Sequence, residues 1–151
     1  MSEMEKTKQE AISRIVDEIY LLQTPKVADS RRTQIQESLT TSINGGVIQK
    51  HLVISATIGT DKGGVLVYVL TDVKFIKIEI GSQEGNVLAS SYILSTFTGI
   101  TREFIENGSR ISINITFGPN SVILRYAPSN QKITDFFQDV EKLASSKLSN
   151  A

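Results

Sequence analysis

Near residue 47 the spacing of apolar residues changes, and that change constrains the fold more than any other feature. Up to Ile43 they recur every three or four positions, the period of a helix; from Val47 they recur at every second position, the period of a strand. The chain is therefore expected to carry a helical N-terminal extension, 1–46, and a mainly β domain, 47–151. In the strand-rich part Leu52, Ile54, Ala56 and Ile58 alternate with His51, Val53, Ser55 and Thr57. Val65–Leu70 and Val73–Ile80 are two β-rich runs meeting in a tight hairpin at Thr71-Asp72. Further strands are expected at Val87–Leu94 and about Phe97–Ile105.

Asn107-Gly108 predicts a two-residue type I′ turn, because both central positions need positive φ and this pair tolerates it best. In the next strand Ile111, Ile113, Ile115 and Phe117 are expected inward, with Arg110, Ser112, Asn114 and Thr116 outward. After the turn Gly118-Pro119-Asn120, Val122, Leu124 and Tyr126 mark a seventh strand. Ser129 or Asn130 is placed to cap a closing helix whose stripe is Ile133, Phe136, Phe137, Val140, Leu143 and Ala144.

The extension reads as two helices. The first, Met4–Gln23, carries Ile12, Ile15, Val16, Ile19 and Leu22 on one stripe and is ended by Pro25. The second starts near Asp29 or Ser30, has the thin stripe Ile35, Leu39 and Ile43, and stops at Gly45-Gly46. Arg31 and Arg32 sit at its first turn, where the helix dipole disfavours cations. They are read either as a solvated pair or as an anion contact.

Sixteen basic residues balance sixteen acidic ones, so no overall field draws the chain to nucleic acid, which is not an expected partner. With no cysteine there is no disulfide, thiolate metal site or cysteine nucleophile. His51 is the single histidine and is read as a surface residue, with no second ligand or orienting partner in its neighbourhood. The carboxylates Asp61, Asp72, Glu79, Glu84, Glu103 and Glu106 are scattered over turns and strand faces. No glycine-rich phosphate loop is present: Gly59 and Gly63-Gly64 lack the Lys-Ser/Thr and helix that should follow. No catalytic residue, cofactor or metal is therefore expected. The polar start MSEMEKTKQE lacks a signal-peptide core, and no apolar run approaches the roughly 20 residues that cross a bilayer. A soluble, cytoplasmic protein is the expectation.

Seven successive antiparallel strands and one capping helix resemble the pleckstrin-homology-like layout, and three local patterns strengthen the likeness. The run Gly64-Val65-Leu66-Val67-Tyr68-Val69-Leu70-Thr71-Asp72-Val73-Lys74 resembles a hairpin of bacterial pleckstrin-homology-like and GRAM-like domains, with Lys74 where Arg is typical. Ser91-Tyr92-Ile93-Leu94-Ser95-Thr96-Phe97-Thr98-Gly99-Ile100 is similar to a later step of that family, and Ile133-Thr134-Asp135-Phe136-Phe137 to the start of its closing helix. The likeness covers about 47–148. It implies an antiparallel barrel or orthogonal sandwich capped by the C-terminal helix, and a binding rather than catalytic role.

Two kinds of partner follow. The run Val65–Leu70 is apolar at both parities, and Val53, Val67, Val69 and Phe75 are assigned to one outer face that something must cover. The N-terminal helix stripe comes first as that cover, a second copy next, then another protein. This favours protein association or self-association, homo-oligomer included. The alternative is peripheral binding to anionic membrane lipid, for which the likeness singles out Lys50 and Lys62; the strand between Val65 and Leu70 offers no cation, and Asp61, Lys62 and Glu84 sum to minus one.

Overall fold

Residues 2–22, 29–58, 61–81 and 87–149 are described by the computed structural model. The elements run α1 (Glu3–Leu22), α2 (Asp29–Ile43), β1 (Ile48–Ile58), β2 (Asp61–Thr71), β3 (Lys74–Ile80), β4 (Val87–Ile93), a 3-10 turn (Leu94–Thr96), β5 (Phe97–Ile105), β6 (Arg110–Phe117), β7 (Asn120–Tyr126) and α3 (Gln131–Ser149). The protein is thus α+β and mainly strands. Its antiparallel ladders make two sheets, β1-β2-β3-β4 and β5-β6-β7, where a single barrel was one expected form. Two compact units are present, Met1–Ser91 and Tyr92–Ala151, so the N-terminal helices share a unit with β1 to β3.

In the first unit, Ser2 Oγ accepts the backbone N–H of Glu5 at 3.1 Å and starts α1, whose first turn carries Glu3 and Glu5 at the favourable end of the dipole. Of its expected stripe Ile12, Ile15, Val16 and Ile19 are fully buried while Leu22, at the helix end, is exposed; the α2 stripe Ile35, Leu39 and Ile43 is fully buried. Both stripes pack on one face of the four-stranded sheet, against Val53, Val65, Val67, Val69, Ile76, Ile78 and Ile80. α2 ends where Gly45 turns left-handed at φ 81°, a conformation that costs glycine nothing, and Gly46 N–H closes back on the Ile43 carbonyl at 2.9 Å. Gly46 has no room for a side chain: a Cβ there would stand 2.9 Å from Thr71 Oγ1.

The register decides which residues share a face. β1 and β2 pair Val53 with Val67 and Leu52 with Tyr68, odd with odd and even with even. Across the next hairpin the pairing is Val67 with Ile78, Val69 with Ile76 and Leu70 with Phe75. Phe75 therefore lies on the face of Leu70, not on that of Val67 and Val69. That second face is buried as well, at Leu52, Leu66, Tyr68, Leu70 and Phe75, with Tyr68 and Phe75 stacked at 5.4 Å between ring centres. Burial at both parities of Val65–Leu70 is what its unbroken apolar run reflects.

The Thr71-Asp72 hairpin is held from inside. The fully buried Thr71 Oγ1 accepts the backbone N–H groups of Val73 (3.2 Å) and Lys74 (2.8 Å), and donates to the Lys74 carbonyl at 3.3 Å. Asp72 clasps the start of β1: its carboxylate accepts Val47 N–H at 2.8 Å, and its own N–H donates to the Val47 carbonyl at 3.1 Å.

In the second unit the expected alternation of β6 holds. Ile111, Ile113, Ile115 and Phe117 are buried while Ser112, Asn114 and Thr116 are half-buried between them. Val122 and Tyr126 of β7 are buried opposite this row, and Phe117 meets Tyr92 and Phe97 at 5.2 and 6.1 Å. The turn before β6 is longer than the expected type I′: Ile105 pairs with Arg110, leaving Glu106–Ser109 as a four-residue loop in which Glu106, Asn107 and Gly108 all have positive φ. The left-handed demand at Asn-Gly is there, extended one residue earlier. α3 is capped by Asn130, whose Oδ1 accepts Ile133 N–H at 3.2 Å. It contacts the 3-10 turn and β5, and Arg102 of β5 pairs with Glu141 of α3 at 3.0 Å.

Candidate functional site

Two of the residue groups singled out in the sequence are spent inside the first unit. Val53, Val67 and Val69 sit in the core beneath α1 and α2, and Phe75 is buried on the opposite face against Tyr68. The structure thus does not bring these four together as one exposed surface. The chain's own helix stripes supply the cover that the apolar sheet required, since those stripes had to be buried somewhere too.

The arginines at the start of α2 point to different partners. Arg31, 7% exposed, donates its guanidinium to the Gly81 carbonyl at the end of β3. Arg32 pairs with Asp17 of α1 at 2.7 Å and stands 4.9 Å over the Tyr20 ring. Between them they tie α2 to β3 and to α1, which accounts for cations in a first turn that the dipole disfavours. His51 has a similar place. It is half-buried on the helix-covered side of β1, with Nε2 2.8 Å from Glu18 Oε1 of α1, where a surface histidine was expected.

Of the two candidate anion contacts, Lys50 is exposed on β1, paired in register with Leu70. Lys62 belongs to β2, and its side chain lies outside the described residues. Glu84, which entered the same charge argument, lies outside them altogether. Among the described residues no group of three or more His, Asp and Glu could hold a metal ion. No described helix is long and apolar enough to cross a membrane. Thr33, Gln36, Glu37, Thr40 and Thr41 line an open depression of about 360 Å³ on α2.

Large apolar side chains stand exposed at the end of α1, where Leu21 is 83% exposed, beside strand ends at Val47 and Val73, and on strands at sheet edges. Leu88 and Ile93 of β4 are 57% and 55% exposed, and Ile123 of β7 is 54% exposed. Phe104 of β5, beside the left-handed loop, is 68% exposed. β4 is the outermost strand next to β3, and its Ala89 and Ser91 are exposed along with Leu88 and Ile93. Reading the sequence for two-sided apolar runs passes over this strand, because Val-Leu-Ala-Ser-Ser-Tyr-Ile has only moderate hydrophobicity. Its signal lies elsewhere: no charged residue occurs from Gly85 to Thr101. Compared with protein-family models, curated proteins and solved structures, the chain matches none.

Proposed function

We propose that this chain is a cytoplasmic, non-catalytic association module of the pleckstrin-homology-like type, acting chiefly through contact with a second copy of itself. The observation that carries this reading is the pair of large apolar side chains, Leu88 and Ile93, more than half exposed on an edge strand. A single exposed apolar residue needs no explanation. Two on one edge strand, one on each of its faces, offer side-chain contacts to another strand laid alongside. Seven antiparallel strands followed by a helix support the fold assignment. The internal engagement of Arg31, Arg32 and His51 supports binding over catalysis, since these groups are occupied in holding α1 and α2.

Sedimentation of the full chain over a wide concentration range tests the proposal. A mass rising above the 16.6 kDa of one chain supports it. A constant 16.6 kDa, together with salt-sensitive pelleting on phosphatidylserine vesicles and none on neutral ones, would replace it with anionic-lipid binding.

A further inference from the structure

Four strands form the edges of the two sheets: β1, β4, β5 and β7. Natural proteins guard such edges with charges, prolines or bulges, because an open row of N–H and C=O groups recruits other strands. Three of the four carry such guards. β1 has Lys50 and two register shifts against β2, β5 has Arg102, Glu103 and a register shift, and β7 has Arg125. β4 has no charged residue, no proline and no glycine. It lies within a seventeen-residue stretch, Gly85–Thr101, that is free of charge in a chain with 32 charged residues (16 basic and 16 acidic). An edge strand without such guards reads as built for pairing.

The strand's own sequence identifies the occupant. Laid antiparallel to itself about a two-fold axis through Ser90, β4 places Val87 opposite Ile93, Leu88 opposite Tyr92, and Ala89 opposite Ser91. Large side chains meet large ones, small meet small, and no like charges are opposed. The same operation closes the assembly at two chains, as an isologous contact must. It also gives neighbours to Leu88 and Ile93.

We propose that two copies of this chain pair antiparallel through β4, joining their four-stranded sheets into one continuous sheet of eight strands. The inference rests on the association reading above and names its surface. A single strand pair with its flanking side chains is a small contact, below the roughly 1,200 Å² typical of stable complexes, so the dimer is transient and its population follows concentration.

The chain has no cysteine, which makes Ser90→Cys a direct probe. Residues facing each other across a two-fold strand pair have Cα atoms about 4.5–5.5 Å apart, within disulfide reach. Mild oxidation is expected to give a covalent dimer of Ser90→Cys far faster than of Ser121→Cys, on the edge strand β7. In sedimentation, Ala89→Lys with Ser91→Lys opposes four like charges and weakens association at least tenfold, whereas Ala89→Glu with Ser91→Lys opposes unlike charges and restores it. Both positions are exposed, so melting temperatures stay near that of the parent chain; if the charged variants unfold, the cysteine comparison decides alone. A parent chain of 16.6 kDa at every concentration overturns both the pairing and the association reading. Association that persists in the double-lysine variant, with no preferential cross-link at Ser90, overturns the β4 edge and leaves the association reading standing.

Discussion

The dependence of the first unit on its N-terminal helices can be tested at Leu39. α2 offers the sheet three apolar side chains only, Ile35, Leu39 and Ile43, all fully buried. Leu39 is the middle one, so its loss empties the centre of the contact. Leu39→Ala removes three carbons; at about 0.8 kcal/mol each, the transfer term is about 2.4 kcal/mol. Partial collapse of the space left behind adds about 1 kcal/mol, for a total of about 3 kcal/mol, near the lower end of the range known for buried Leu→Ala changes. In a chain of this length each kcal/mol moves the melting temperature by about 2–4 °C, so a fall of about 10 °C is expected. Urea unfolding followed by circular dichroism measures the loss, with Thr40→Ala as the control. Thr40 is exposed and donates to the Gln36 carbonyl within the helix, so its change should stay within about 0.5 kcal/mol. A Leu39→Ala loss under about 1 kcal/mol would refute the reasoning, because it would mean that α2 contributes no core to the sheet.

Three further outcomes follow from single contacts. Arg31→Met should cost about 2 kcal/mol in urea unfolding, since it strips a buried charged donor from the Gly81 carbonyl, whereas Arg32→Met breaks a solvent-exposed pair with Asp17 and should cost under about 1 kcal/mol; the reverse order would contradict the role of Arg31 in tying α2 to β3. Thr71→Val keeps the side-chain volume but leaves the N–H groups of Val73 and Lys74 without their buried acceptor, and a loss of about 2 kcal/mol is expected; a neutral result would mean that water replaces the hydroxyl. Asn130→Ala should lower stability by about 1 kcal/mol as an N-cap loss, and Ser129→Ala by no more than about 0.5 kcal/mol; equal effects would show that the cap is shared.

Much of this architecture is legible from local spacing. α1 and α2 fall where their stripes place them, to within a residue or two, because burying one helix face requires a 3.6-residue repeat whatever it packs against. The inward row of β6 is readable for the same reason at period two. Asn130 as a cap and Gly45 as a stop follow from the chemistry of one residue and its immediate backbone. The candidate surface was less accessible to such reasoning. Val53, Val67 and Val69 do share one face, but Phe75 does not: four residues, Thr71–Lys74, separate the paired Leu70 and Phe75, so an even-numbered residue faces an odd-numbered one across that hairpin. Counting parity by residue number fails wherever a turn reverses it.

The sequence by itself determined the kind of each element, the side that each helix or strand must bury, and the change from helical to strand period near residue 47, because these depend on neighbours a few positions apart. Tertiary structure alone decided what covers what. It placed the α1 and α2 stripes over Val53, Val67 and Val69, turned Arg31, Arg32 and His51 into fastenings between elements, and put the uncharged β4 at a sheet edge. Those outcomes depend on pairings between residues far apart in the chain, and no local period encodes which distant surface will arrive to bury a given face.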